Sequence, residues 1–218
     1  MKRRRFVLGA LAATGALALG WGVMPPRQRL RTSVPLPTRP GEQAFNGWVK
    51  IADDDTVTVA MAKSEMGQGV HTGLAMVLAD ELDADWARVR TAHPPLDPIY
   101  NNLATVVDGL PFHPDDEGAI KRLAGHLTAK AMREIGLQVT GGSSSLKDLW
   151  LPMRTAGSSA RAMLVAAAAQ QWNLPAAQCS AAKGRVLHAA SKRSLGYGEL
   201  AERAARLPLP DAPVLKTA

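Results

Sequence analysis

The sequence predicts an α/β domain, with a mixed α+β arrangement of sheet and helices, behind an export signal. Two alternating apolar runs flank Asp53–Asp55 and indicate a β-hairpin. The run after residue 70 places apolar side chains at helical spacing, at Leu74, Val77, Leu78 and Leu82. Strands and helices then alternate without an internal repeat, which favours one α/β or α+β domain.

The positive charge of the chain lies in its first 40 residues. The whole chain has a formal net charge of +7, and residues 1–40 contain eight lysines and arginines and no acid. The remaining residues are almost neutral, so they lack the cationic surface that binds phosphate backbones and we expect no nucleic-acid partner. The single cysteine excludes a disulfide framework.

Residues 1–24 have the composition of an export signal. Arg3–Arg5 and Phe6 match the twin-arginine pattern, whose pathway exports proteins already folded around a cofactor. The segment 16–18 offers a small-x-small cleavage site, whereas the uncharged run 6–24 also reaches the lower limit for spanning a bilayer. We therefore expect a periplasmic or inner-membrane-anchored protein, with cleavage and retention both open; an ordinary secretory signal is the alternative.

The rest of the chain divides into three parts. Residues 25–44 contain five prolines among arginines and predict an extended tether. Residues 45–210 form the domain, and residues 211–218 are a short, truncated tail.

Within the domain, each segment has a local signature. "WARVRTAHPP" predicts a strand, residues 96–116 an irregular segment, and "EGAIKRLAGHLTAKAMREIG" an amphipathic helix with Ile120, Leu123, Leu127, Ala131 and Ile135 along one side. A short strand is predicted over 137–140. A long helix follows Pro152, with a small-residue face at Ala156, Gly157 and Ala160. A hairpin around Lys183–Gly184 and a short helix in "YGELAERAARL" complete the domain.

The first of two glycine-rich turns is Gly67-Gln68-Gly69. Glycine allows positive φ and carries no Cβ, so a ligand can approach the backbone N–H groups. The amide of Gln68 can both donate and accept hydrogen bonds, which suits a heterocycle or an oxo ligand. The alternative is that these glycines only end a strand.

The second turn spans Thr140, Gly141, Gly142, Ser143, Ser144 and Ser145 and precedes a helix. Successive N–H groups and hydroxyls at a helix N-terminus form an anion site of the kind that phosphates occupy. The serines could instead be ordinary helix caps. Two such turns in one exported domain favour a phosphate-bearing cofactor.

Longer stretches make a family resemblance specific. "KSEMGQGVHTGLAMVLADELDADWARVR", the segment 111–175 and "LGYGELAERAA" resemble the N-terminal region of isoquinoline 1-oxidoreductase large subunits, over roughly residues 40–210. These subunits belong to the molybdopterin-binding aldehyde oxidase and xanthine dehydrogenase family, which also contains membrane-bound aldehyde dehydrogenases.

The resemblance implies a molybdenum–molybdopterin cofactor, usually in the cytosine dinucleotide form. It implies oxidation of an N-heterocycle or an aldehyde with water as the oxygen source. Gly67, Gln68 and Gly69 would lie against the pterin dithiolene and the molybdenum ligands, and Thr140 to Ser145 would line the nucleotide and pyrophosphate. It also implies a small iron–sulfur (2Fe–2S) subunit and a cytochrome c subunit as partners.

The chain also departs from the family pattern. Members continue for several hundred residues and include a glycine-flanked glutamate that acts as the catalytic base, and none of the glutamates here has that setting. We therefore expect a cofactor-binding segment that contains no catalytic residue and no metal ligand, and that needs the remaining molybdopterin-binding segments for activity. A non-enzymatic exported module, or a remnant of the enzyme gene, is the alternative.

A remote alternative is an acyl enzyme, because Ser144 and Lys147 satisfy Ser-x-x-Lys. The order of motifs argues against it. The Tyr-x-Asn tripeptide at 100–102 precedes the serine, and no Lys-Thr-Gly or Lys-Ser-Gly follows.

Overall fold

The computed structural model describes residues 2–24, 26–210 and 212–217. Its helices are α1 (Lys2–Val23), α2 (Val70–Leu82), α3 (Leu103–Asp108), α4 (Ala119–Ile135), α5 (Ser145–Trp172) and α6 (Tyr197–Ala205). Its strands are β1 (Glu42–Ala44), β2 (Val49–Ala52), β3 (Val57–Ala60), β4 (Val89–Ala92), β5 (Ser180–Ala182), β6 (Arg185–His188) and β7 (Arg193–Gly196).

The first sheet has the order β1-β2-β3-β4 and is mixed. The first three strands are antiparallel, and Val49 pairs with Val59 and Ile51 with Val57 in the predicted hairpin. The fourth strand runs parallel to β3 and is reached through α2. The predicted order of strand, strand, helix and strand is thus confirmed, as is the α/β class.

The second sheet, β5-β6-β7, is antiparallel. Its first turn is the predicted Lys183–Gly184 pair, in which both residues have positive φ, 48° and 71°. Two adjacent residues with positive φ are typical of a tight hairpin turn. β1 and β7 were not predicted.

The core lies between the first sheet and the pair of helices α2 and α5. A Cβ on Gly157 would lie 2.4 Å from the carbonyl oxygen of Leu78 on α2, so the predicted close approach of a second backbone is confirmed. The large buried side chains of this core include Trp48, Ile51, Leu74, Leu82, Tyr100, Leu149, Met153, Leu164 and Tyr197.

The structure differs from the predicted elements in three places. Residues 137–140 form no strand, because Asn102 donates hydrogen bonds to two of their carbonyls. Its N–H donates to Leu137 (2.8 Å) and its side-chain amide to Val139 (3.0 Å). The helix start predicted after the second turn and the long helix predicted after Pro152 are one helix, α5, which starts at Ser145 and contains Pro152. Proline cannot donate to the carbonyl four residues earlier, and Arg29 donates to that carbonyl, at Asp148, instead (3.2 Å). A short α3 also lies within the segment 96–116 that was predicted to be irregular.

The segment 26–44 has little regular structure before β1, but it does not stand away from the domain. Leu30 and Leu36 are buried. The N–H of Gly47 donates to Leu30, and Asp97 accepts hydrogen bonds from the N–H and hydroxyl of Ser33 (2.8 and 2.6 Å). These leucines supply apolar area that is removed from water, so this part of the predicted tether packs against the body.

The tail also packs, over residues 212–217. Glu81 is buried on α2, and its carboxylate accepts from the N–H of Lys216 (3.1 Å) and from Arg154 (2.6 Å). The carbonyl of Val214 accepts from Ser158 on α5 (2.5 Å). The tail therefore bridges the solvent side of the α2–α5 pair.

Candidate functional site

The two glycine-rich turns are adjacent in the structure. The N–H of Ser64 donates to the hydroxyl of Thr140 (2.8 Å), although the two residues are 76 positions apart in the sequence. The first turn leads into α2 and the second into α5. Two helix N-termini, each with a partial positive charge, are thereby brought to one surface.

The first turn has the backbone conformation for which glycine is suited. Gly67 and Gly69 have φ values of 92° and 75°, and Gly69 is the N-cap of α2. A Cβ built on either would meet no atom of the described residues within 4 Å. The surface above the turn is therefore open, and no side chain of the described residues fills it.

The side chain of Gln68 folds back onto its own loop. Its carbonyl oxygen accepts from the N–H of Met66 (2.6 Å), and its amide donates to the carbonyl of Ser64 (2.9 Å). The sequence predicted that the donor and the acceptor of this amide would bind a ligand. In the structure both bind the backbone of their own loop. Gln68 is exposed and can exchange these bonds for others.

Glu65 was missed by the sequence reasoning. Its carboxylate accepts from the N–H groups of Gly67, Gly69 and His71 (2.9, 2.9 and 3.0 Å). The hydrogen bonds from His71 and Gly69 hold the pKa of this carboxyl below its ordinary value. An acid just before a helix is the signal that could have identified it, since anions are favourable at helix N-termini.

We expect the amide resonances of Gly67, Gly69 and His71 to titrate together in an NMR pH series, with a midpoint below the ordinary glutamate value of about 4.3. The folded-state pKa is lowered, so this cap is complete above the ordinary value and is lost as the pH falls through the folded one. In Glu65→Gln the common transition should vanish. Independent midpoints for the three amides would contradict the shared carboxylate.

The second turn divides into an exposed and a buried half. Gly142 and Ser143 are exposed, have φ values of 61° and 52°, and their N–H groups have no acceptor among the described residues. Ser144 is buried; its hydroxyl accepts from Asn102 (2.8 Å) and donates to Gly141 (2.7 Å). The donors open to an anion are thus Gly142 and Ser143, while Ser144 holds the turn in place.

A buried ion cluster lies beneath both turns. Asp148, in the first turn of α5, is 3.1 Å from Lys63 and 3.2 Å from Arg29, and it accepts from the N–H of Leu103 (2.9 Å). Lys63 directly precedes the first turn and is fully buried, which lowers the pKa of its ammonium, with the charge of Asp148 acting in the opposite direction. One carboxylate therefore links the first turn, the second turn and the segment that follows α1.

The histidines form a pair rather than a metal site. The ring of His71 lies 5.7 Å from that of His93, and its Nε2 is 2.8 Å from the carbonyl oxygen of Lys63. Among the described residues, no group of three or more histidine, cysteine or acidic side chains could hold a metal ion.

The Ser-x-x-Lys pair is not assembled for acyl transfer. The ammonium of Lys147 is bound to Asp108 (2.5 Å), while the hydroxyl of Ser144 contacts Thr105 (2.6 Å). A nucleophilic serine needs its base within hydrogen-bond reach, and here these two side chains have other partners.

Comparison with known proteins identifies related chains. The family model for the molybdopterin cofactor-binding domain matches residues 7–106, which include the first turn. The isoquinoline 1-oxidoreductase subunit beta of Brevundimonas diminuta is 36% identical over 155 residues, covering 71% of this chain and 16% of that protein. The membrane-bound aldehyde dehydrogenase (pyrroloquinoline-quinone) of Gluconacetobacter polyoxogenes is 29% identical over 163 residues, covering 74% of this chain and 16% of that protein.

The matched region therefore spans about 16% of the length of each of these relatives. It contains both turns and most of the described domain. With the mixed α/β fold, the family model over residues 7–106 and these two relatives support membership of the chain in the molybdopterin cofactor-binding family.

Proposed function

We propose that the chain is the N-terminal cofactor-binding segment of a molybdenum hydroxylase, an oxidoreductase that oxidises an N-heterocycle or an aldehyde with water as the oxygen source. The observation that supports this most directly is the Ser64–Thr140 hydrogen bond, which holds the two turns side by side. An elongated cofactor with a metal–pterin group at one end and a nucleotide at the other can contact both turns at once.

The residues present fit such a cofactor. The space above Gly67 and Gly69 is open, and Gly142 and Ser143 offer free N–H donors. The pyrophosphate of the cytosine dinucleotide form would accept hydrogen bonds from these two N–H groups at the N-terminus of α5. The bound cofactor would supply the redox centre, and the residues of this chain would bind and orient it.

At the first turn, binding requires a rearrangement within the protein. The N–H groups of Gly67 and Gly69 are paired with Glu65, and the Gln68 amide with its own loop. A ligand that uses these donors must displace the carboxylate of Glu65. Because Glu65 is exposed, its carboxylate can be hydrated after displacement and need not remain buried and unpaired.

We further propose that the chain is exported by the twin-arginine pathway and is inactive alone. Its partners would be the remaining molybdopterin-binding segments, a small 2Fe–2S iron–sulfur subunit and a cytochrome c subunit. The pattern Arg3–Arg5 and Phe6 supports the export route. The relatives' greater length, the word "subunit" in the name of one and "membrane-bound" in the name of the other support the partners and the membrane association.

Metal and nucleotide analysis tests the cofactor assignment. The chain would be co-expressed with the remaining segments of a relative, purified as the complex, and analysed for molybdenum and for released cytidine nucleotide. We expect both at about one per chain. A purified complex that contains neither would overturn the assignment.

A substitution tests the role of Gln68. We expect Gln68→Ala, introduced by grafting this turn into a full-length relative, to lower molybdenum occupancy or turnover about tenfold, the effect of losing one or two hydrogen bonds. The same graft with Gln68 retained is the matched control and should leave both unchanged. Unchanged occupancy and rate in Gln68→Ala would remove the assigned role.

A further inference from the structure

Helix α4 carries an apolar face that the body does not cover. Ile120 and Leu123 are 76% and 59% exposed, and they lie at helical spacing with Leu127 on one side of the helix. The basic side chains of Lys121 and Arg122 flank this side and donate to backbone carbonyls. An exposed apolar stripe with basic flanks is typical of a helix that lies in a membrane interface.

The C-terminal end of α1 is attached to this same region of α4. The ammonium of Lys130 donates to the carbonyls of Trp21 and Met24, and Nε2 of His126 lies 3.2 Å from the carbonyl oxygen of Gly22. The last carbonyls of a helix have no partner within it and carry its partial negative charge. Side chains of the body thus complete the end of α1.

α1 has the length and polarity of a membrane span. The window Phe6–Val23 covers 18 residues with a mean hydropathy of 1.8, and none of it is buried in the protein. At 1.5 Å per residue the window is about 27 Å long, close to the roughly 30 Å hydrocarbon core of a bilayer. Arg3 and Arg4 lie at one end and Trp21 at the other, an arrangement typical of residues at the two membrane surfaces.

These observations fix where a bilayer around α1 would end. The contacts with Lys130 and His126 involve residues 21–24, which are the end of the apolar window. A bilayer that covers the window therefore reaches its surface at α4. The exposed face of α4 would then lie at that surface rather than in bulk water.

We propose that α1 is retained as a membrane anchor and that the apolar face of α4 lies in the adjacent lipid headgroup layer, with Ile120 and Leu123 toward the acyl chains. The side chains of Lys121 and Arg122 donate to backbone carbonyls of residues 113–117, and their long stems allow them to exchange these acceptors for the headgroup phosphates. The side of the membrane on which α4 and the body lie follows from the proposed export. The cofactor assignment plays no part in this proposal.

An environment-sensitive fluorophore on a single cysteine tests the position of α4. In the full chain with Cys179→Ser, the label would be attached at Leu123→Cys or, as the matched control, at Leu151→Cys on α5, where the side chain is 58% exposed. The protein would be reconstituted in phosphatidylcholine vesicles containing about a quarter phosphatidylglycerol. We expect a blue shift and quenching by lipid-chain quenchers at 123 and neither at 151. Intact-mass analysis of the same preparation should show residues 1–18 present.

Three results would overturn the proposal. The first is an equal response of the two labels, which would mean that α4 has no special relation to the lipid. The second is a label at 123 that responds only when a partner subunit is added, which would point to a protein cover. The third is a mature N-terminus at Leu19, which would show that the span is removed. Molybdenum content, measured separately in the co-expressed complex, reports on the proposed function and is independent of these results.

Discussion

Replacing Asp148 with asparagine is expected to lower the free energy of unfolding by about 3–5 kcal/mol, as expected when one partner of a buried ion pair is removed. Lys63 is fully buried and Arg29 nearly so, and both lie within 3.2 Å of the Asp148 carboxylate. Without that negative charge, two cations remain in a site with little access to water. The measurement is urea denaturation at neutral pH, followed by the fluorescence of Trp48, which is also buried.

The control for this prediction is Asp115→Asn, since Asp115 is almost fully exposed. Its free energy of unfolding should stay within about 0.5 kcal/mol of the original chain. Hydrogen exchange should also show faster exchange of both glycine-rich turns in Asp148→Asn, because the carboxylate links them. A loss below about 1 kcal/mol would mean that water or a side-chain rearrangement compensates the two cations.

Replacing Gly157 with alanine is expected to destabilise the protein by about 1–3 kcal/mol, the typical cost of overpacking a core. Alanine is intrinsically favoured over glycine in a helix by about 1 kcal/mol, so helix propensity alone predicts the opposite sign. The new Cβ would lie 2.4 Å from the Leu78 carbonyl oxygen and 3.2 Å from the N–H nitrogen of Leu82. Backbone atoms cannot move aside as a flexible side chain can, so α2 and α5 must separate.

Gly125→Ala on α4 is the matched control. There the new Cβ meets only Val107, at 3.5 Å, which is an ordinary contact. This variant should therefore gain up to about 1 kcal/mol from helix propensity. Thermal or urea denaturation of the two variants should give changes of opposite sign. A stabilised Gly157→Ala would show that the two helices are not in close contact in solution.

The features that sequence reasoning predicted well depend on local pattern. The hairpin around Asp53–Asp55, α2, and the close approach at Gly157 follow from alternation, helical spacing and residue size, and all are present. The strand expected at 137–140 is absent because a strand needs a neighbouring partner, and here Asn102 occupies the carbonyls instead. No local pattern contains that information.

In the candidate site too, only the features that depend on local sequence were predicted. Positive φ at Gly67 and Gly69 follows from the residue type, and both angles are positive. The use of their N–H groups by Glu65, the burial of Ser144 and the linking role of Asp148 depend on how distant segments meet. Pro152 is an instructive case, because the carbonyl that it leaves without a helical donor accepts from Arg29, 119 positions earlier in the chain.

The Arg29 contact also has a mechanical consequence for the export proposed above, in which the N-terminus would draw the folded chain through a membrane. Tension applied to α1 reaches the body first at the Lys130 and His126 contacts, next where Arg27 and Gln28 are bound to α4, and then at Arg29, before it reaches the hydrogen bonds of β1. Arg29 holds Asp148 on the helix that follows the second turn, and Asp148 binds Lys63, which precedes the first turn. Force on α1 would therefore reach the residues beneath the candidate cofactor site before it reaches the first sheet. A ligand bound to both turns would hold these residues together and so oppose their separation by that force.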